Sequence, residues 1–157
     1  MVGRLIRHAI WNKKRPLPRA SDLVVLLILN TLCMSAKKLS LAFGVIFIAV
    51  GLLGYFNNPI IGLAENAIFH ADGMHNIVHI VSGVLFLLVA LAAPASSRRF
   101  LILFGIVYLL VGVIGFISMG TTGMGQVLGF LHVNGADNYL HVGLGLIILV
   151  CGLASRK

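Results

Sequence analysis

Two stretches of the sequence place histidine and asparagine at the start of an apolar run. Residues 75–83 read HNIVHIVSG, and residues 137–145 read DNYLHVGLG. Both contain Asn-x-x-His-x-x-x-Gly, a spacing that puts the three named residues near one face of a helix. A neutral imidazole can ligate a metal ion, donate one hydrogen bond while accepting another, or carry a proton near neutral pH. The pattern therefore allows three kinds of chemistry.

The simplest interpretation is a polar cluster that joins helices. Asparagine and histidine in membrane helices form hydrogen bonds between helices, worth about 1–2 kcal/mol or less each. On this interpretation the protein is a small structural or accessory protein, and the cluster holds its helices together. The residues of this interhelical cluster are Asn76, His79, Asn138 and His141.

A metal site is the second interpretation. Nitrogen and oxygen donors of this kind suit zinc or copper, although the sequence has no strongly spaced signature such as HExxH. Haem is a variant, in which His79 and His141 on opposed helices supply two axial ligands. The candidate ligands are His70, His75, His79, His132, Asp137 and His141, with Asp72 beside them.

An enzyme or a transporter is the third interpretation, with His79 and His141 transferring protons. The sequence shows no nucleophile paired with a base, no phosphate-binding loop and no oxyanion arrangement. We therefore favour a protein without catalytic activity and assign no catalytic residue.

Composition indicates a membrane protein. The chain has 157 residues, of which 59% are hydrophobic and 10% charged, whereas soluble domains carry about 25% charged residues. A membrane-spanning helix needs about 20 apolar residues. The sequence predicts an all-α integral membrane protein with four transmembrane helices, at about residues 39–56, 74–93, 100–119 and 138–154.

The positive charges predict the orientation in the membrane. The Lys and Arg residues fall before the first apolar run, at residues 98–99 and at residues 156–157, while the loops at 57–73 and 120–137 contain none. By the positive-inside rule, both termini are cytoplasmic. We read the net charge of +8 as topology and as attraction to anionic lipid, not as nucleic-acid binding. A homo-oligomer or a larger membrane partner remains open.

The N-terminal part forms a basic cytoplasmic extension at residues 1–38, ahead of a membrane domain at residues 39–155. Its apolar segment at 23–34 is too short to span a bilayer, at about 1.5 Å per residue. Two alternatives stay open. The extension lies on anionic lipid at the cytoplasmic face, or translation begins at Met34.

The membrane domain reads as a duplication of a helical hairpin. Repeat one covers about residues 39–93 and repeat two about residues 100–155. Two crossings return the chain to its starting side, so the repeats share one orientation, around a pseudo-two-fold axis along the membrane normal. The pairs that match between the repeats include His70 with His132, Asn76 with Asn138 and His79 with His141.

Glycines and loops complete the predicted architecture. Apolar spacing at 59–69 predicts a short helix lying in the membrane interface, and residues 126–132 are a weaker second case. Asp72 is expected to cap the second transmembrane helix, and Asn134 or Asp137 the fourth. Small residues on one face let membrane helices pack closely. The glycines assigned to helix packing are Gly44, Gly51, Gly54, Gly83, Gly105, Gly112, Gly115 and Gly145.

Three stretches resemble a family of small bacterial membrane proteins catalogued as domain of unknown function 4383. They are residues 34–62 with their Asn-Pro turn, HNIVHIVSG at 75–83, and NGADNYLHVGLG at 134–145. The resemblance implies a four-helix protein of the bacterial inner membrane and implies no activity. The motif residues that carry over, without a known role, are His75, Asn76, His79, Asp137, Asn138 and His141.

Overall fold

Four long helices dominate the computed structural model, which describes residues 19, 34–56, 58–62 and 67–156. Each is long and apolar enough to cross a membrane, which indicates a multi-pass membrane protein and agrees, within the described residues, with the four predicted spans. Residues 1–18 and 20–33 of the predicted extension lie outside the described residues. The helices are α1 (Ala36–Leu53), α2 (Gly73–Ala92), α3 (Ser97–Met119) and α4 (Gly135–Ala154).

The helices pack as two pairs, α1 with α2 and α3 with α4. In the first pair, a methyl group built on Gly83 would lie 2.6 Å from the carbonyl oxygen of Gly44. In the second, a methyl group on Gly105 would lie 2.5 Å from the backbone nitrogen of Leu149. Separations this short leave no room for a side chain, so the helices of each pair are in backbone contact.

Apolar side chains cover the outside of the helices, and aromatic side chains fill the inside. Val45 and Ile117 are 61% and 80% exposed, as suits side chains that face lipid. Inside, the ring of Phe47 lies 5.6 Å from that of Phe86 and 5.2 Å from that of Tyr108, measured between centroids. The contact between Phe47 on α1 and Tyr108 on α3 joins the two helix pairs.

Short strands close one end of the bundle, which we call the strand end. β1 (Ile61–Gly62) pairs with β2 (Phe69–His70) in parallel. β3 (Met124–Val127) pairs with β4 (Leu131–Asn134) as an antiparallel hairpin. The strand end therefore holds both loops that the charge pattern assigns to the outer side.

The hairpin corrects the prediction of a short helix at 126–132. Leu128 and Gly129 have φ values of 56° and 77°, the left-handed conformation that a tight hairpin turn requires and a helix forbids. In β4, Leu131 and Val133 are buried, while His132 between them is only half-buried. This alternation is the period of a strand.

The predicted interfacial helix at 59–69 is likewise absent from the residues described there, 58–62 and 67–70, which contain β1 and β2. Asn58 organises the turn instead. Its side-chain NH2 donates to the carbonyls of Leu53, Phe56 and Ile61. Its side-chain oxygen accepts from the backbone N–H groups of residues 60 and 61. These bonds give partners to backbone groups that would hydrogen-bond to one another if the segment were a helix.

The predicted helix caps are confirmed. The Asp72 side chain accepts a hydrogen bond of 2.8 Å from the backbone nitrogen of His75 and begins α2. Asn134 and Asp137 form a reciprocal capping box at the start of α4, with bonds of 3.0 and 2.8 Å. The caps fix where each helix starts, and so fix the depth of the histidines that follow.

We predict that Gly115→Ala destabilises the protein and that Gly143→Ala does not. A methyl group on Gly115 would overlap the side chain of Asn138, whereas one on Gly143 meets nothing within 4 Å. Overpacking of this kind costs about 1–3 kcal/mol of unfolding free energy, and the control should stay within about 0.5 kcal/mol. Unfolding in mixed detergent micelles measures both; equal effects would contradict the close contact.

Candidate functional site

Three histidines meet inside the bundle near the strand end. His75 and His79 lie one turn apart on α2, and His141 lies on α4; they are 3%, 7% and 5% exposed. One ring nitrogen from each lies within 4.8 Å of the others. Side chains from both helix pairs, far apart in sequence, therefore share one buried site.

The three rings are close and nearly parallel. Ring centroids are 4.8 Å apart for His75 and His79, 5.6 Å for His75 and His141, and 6.4 Å for His79 and His141. Their planes differ by only 16–24°. The three rings therefore form one cluster.

Two of the rings are oriented by carbonyl oxygens. His75 Nδ1 lies 2.9 Å from the carbonyl oxygen of His132, and His141 Nδ1 lies 2.7 Å from that of Asp137. Because a carbonyl oxygen only accepts, each ring carries its hydrogen on Nδ1. In the neutral rings, Nε2 keeps its lone pair, and it has no hydrogen bond within the described part of the chain.

Tyr108 on α3 orients the third ring. Its hydroxyl lies 3.0 Å from His79 Nδ1, and the tyrosine is 6% exposed. The Tyr108 ring also lies 4.9 Å from the ring of His141, and Phe47 covers the other side of His79 at 5.6 Å. Sequence reasoning missed Tyr108 because an aromatic residue within an apolar run reads as core. It is the only tyrosine of the third apolar run, which is the signal that could have found it.

Polar bonds between the two helix pairs surround the site. Asp72 Oδ2 accepts a 2.8 Å hydrogen bond from His132 Nδ1, and Asp137 Oδ2 accepts a 3.0 Å bond from the backbone nitrogen of His70. Asn134 donates to the carbonyl of Ile68 at 3.0 Å. Each bond links a residue before α2 to one in β4 or at the start of α4.

The pKa of Asp72 reflects this position. Partial burial raises the pKa, but the hydrogen bonds from the His75 backbone and the His132 ring outweigh burial and hold the pKa below its usual value of 3.8. Asp72 therefore stays ionised at neutral pH and can hold His132 in place.

The predicted ligands divide into an inner group and an outer group. His75, His79 and His141 come together. His70 and His132 lie outside them, with ring centroids 6.4 Å apart. Asp137 is buried, but its Oδ2 is already bound to the backbone nitrogens of residues 70 and 134.

The two asparagines of the predicted interhelical cluster lie against glycines, Asn76 against Gly54 and Asn138 against Gly115. Asn76 Oδ1 and both polar side-chain atoms of Asn138 are buried without a hydrogen-bond partner among the described residues. Of the four residues predicted for this cluster, His79 makes the side-chain bond to another helix, while His141 bonds within its own.

The site can hold a metal ion, but not a haem with His79 and His141 as its two axial ligands. Buried imidazole nitrogens are suitable ligands for zinc, copper, nickel or iron. A haem would have to lie between His79 and His141, and the ring of His75 lies within 5.6 Å of both rings there. The macrocycle therefore has no space.

Comparison with known proteins identifies a family but no activity. The family model described as Domain of unknown function (DUF4383) matches residues 37–154, which is most of the chain and all four long helices. No curated protein and no solved structure matches the chain. The resemblance predicted from the histidine motifs is thus confirmed, and the chain belongs to the DUF4383 family.

Proposed function

We propose that this membrane protein binds one transition-metal ion, zinc or copper, through His75, His79 and His141. The observation that carries the proposal is the convergence of three buried ring nitrogens within 4.8 Å. Polar groups buried in apolar surroundings are costly unless they have partners. A bound cation would give one nitrogen of each of the three rings a partner at once.

The hydrogen bonds behind the rings support the same proposal. Histidines that ligate metals almost always donate their other ring N–H to a carbonyl, a carboxylate or water, which fixes the tautomer and aims the ring. The Nδ1 atoms of His75 and His141 meet carbonyl oxygens at 2.9 and 2.7 Å. Both rings are therefore already in the form that ligates through Nε2.

Asp137 supports the proposed site through its backbone and its buried side chain. Its carboxylate is 2% exposed and is held in place by backbone N–H groups of His70 and Asn134. Its carbonyl oxygen also orients the ring of His141.

The proposed architecture places this site toward the outer face of the bacterial inner membrane, with both termini cytoplasmic. The distribution of Lys and Arg supports this orientation. We also propose that the two helix pairs are repeats around a pseudo-two-fold axis. Matching contacts support the repeats, since Asn76 lies over Gly54 as Asn138 lies over Gly115. An ion would then reach the site from outside the cytoplasm.

Elemental analysis of the detergent-purified protein tests the proposal. We expect about one zinc or copper ion per chain after incubation with the metal. The double variant His79→Ala/His141→Ala should lose the ion. His70→Ala is the matched control and should keep it, because the ring of His70 lies outside the inner group. A wild-type protein that stays metal-free, or a control that loses the ion equally, would contradict the site.

Ion binding should weaken as the pH falls. Each ligating imidazole must be neutral, so protons compete with the ion and binding is favoured at high pH. Because a proton on a ligand ring displaces the ion, we expect the apparent zinc affinity to be lower at acidic pH than at pH 7.5. Competition with a chelator calibrated at each pH measures this, and an affinity independent of pH would argue against histidine ligands.

A structural role is the second candidate function, as an accessory protein for a larger membrane partner or a second copy. The bonds of His132 favour it, since its ring binds Asp72 and its carbonyl binds His75, both from the first helix pair. On this candidate the polar residues at the strand end serve to join the two pairs.

We predict that Asp72→Asn lowers the unfolding free energy at pH 7 by about 0.5–1 kcal/mol. Asparagine keeps the helix cap but loses the charge that His132 binds. Because the folded pKa of Asp72 lies below 3.8, its stabilisation is present above that pH and disappears as the pH falls through the lowered value. Unfolding at pH 7 and near pH 3 should show a smaller difference at pH 3; an equal difference at both would refute the charge effect.

A further inference from the structure

We infer that Tyr108 is a positioning residue of the metal site and that its hydroxyl aims the ring of His79 and accepts a hydrogen bond from Nδ1 when the ion is bound. The inference rests on the proposed metal-binding function and deepens it. It starts from the hydrogen bond of 3.0 Å between the Tyr108 hydroxyl and His79 Nδ1. The partners come from α3 and α2, so the bond also crosses between the helix pairs.

The hydroxyl is fixed in place by the packing of its ring. Tyr108 is 6% exposed. Its ring lies 5.1 Å from Phe104, 5.2 Å from Phe47 and 4.9 Å from His141, measured between centroids. A ring enclosed in this way cannot swing its hydroxyl toward another partner without disturbing the aromatic core. His79 therefore meets the hydroxyl in one geometry.

The direction of this bond decides whether His79 can bind an ion. If Tyr108 donates, His79 Nδ1 accepts, and the ring's one hydrogen sits on Nε2, where it blocks ligation. If Nδ1 donates to the tyrosine oxygen, Nε2 has a free lone pair. In the ion-bound protein, His79 keeps its single ring proton on Nδ1, Tyr108 keeps its phenolic proton, and the phenol oxygen is the acceptor.

His79 differs in this respect from the other two ligands. The carbonyl oxygens that orient His75 and His141 can only accept, so those rings have a single neutral tautomer. A hydroxyl both donates and accepts, so the tautomer of His79 responds to the ion. The Tyr108 hydroxyl, and not its ring, thus allows His79 to change tautomer when the ion binds.

The chain offers a matched control in Tyr139. It lies on α4, is 59% exposed, and packs its ring 4.7 Å from Phe116. Tyr108→Phe and Tyr139→Phe each remove one hydroxyl from a membrane helix. Only the first removes a hydrogen bond to a proposed ligand.

The test compares the zinc affinity of wild type, Tyr108→Phe and Tyr139→Phe by competition with a chelator. Loss of a group that orients a ligand typically weakens metal binding about 10–100-fold, and we expect this for Tyr108→Phe alone. Cobalt(II) loaded in place of zinc adds a readout that stability alone does not move. Its visible absorption should change in Tyr108→Phe, because the ring of His79 is no longer aimed, and should be unchanged in Tyr139→Phe.

The outcomes separate this inference from the proposed function. A wild type that binds neither zinc nor cobalt overturns both. A wild type that binds zinc, with Tyr108→Phe equal to it in affinity and cobalt spectrum, overturns the role of Tyr108 and leaves the metal site standing.

A second variant covers the case in which Tyr108→Phe fails to fold. Tyr55→Phe/Tyr139→Phe leaves Tyr108 as the only tyrosine, and 3-fluorotyrosine can then replace it throughout the chain. Fluorination makes the phenol oxygen a weaker acceptor while keeping the ring. Weaker zinc binding by the fluorinated protein supports the inference, and unchanged binding overturns it.

Discussion

The structure depends on one constraint, which is that a polar atom placed among apolar side chains is costly unless it has a partner within the protein. The histidine rings of the inner group satisfy it through Nδ1, with carbonyl oxygens for two rings and the Tyr108 hydroxyl for the third. Close packing at glycine brings the helices together, and the polar bonds fix the rotation of each helix about its own axis. The lipid-facing surface can then be entirely apolar.

The strand end follows from the same constraint. Loop backbone groups near the membrane need partners, and β3 with β4 and β1 with β2 supply them. The buried side chains of the hairpin are Val127, Leu131 and Val133, and they pack against Val78 and Val111 of the helices. These contacts anchor the hairpin to the helices. The loops are thus part of the folded core, and the histidines lie between that core and the aromatic interior.

Much of the fold was predictable from the sequence, because the length of an apolar run and the residue before it are local properties. The runs predicted four helices, and Asp72 and Asn134 predicted two of their caps. The hairpin was not predictable, because it needs Leu128 in a left-handed conformation that leucine rarely adopts. The inner group was predictable only in part. Helical spacing relates His75 to His79, but the approach of His141 and Tyr108 depends on how the two pairs pack.

The backbone carbonyl of His132 links the buried histidine site to the β3–β4 hairpin. It belongs to β4, yet it orients the ring of His75 on α2. A molecule that binds the β3–β4 hairpin and shifts it also shifts the acceptor of one ligand. By thermodynamic linkage, occupancy of the proposed ion site would change the affinity of the hairpin for that molecule by the same factor. Binding at the exposed hairpin would therefore alter the geometry of the buried site.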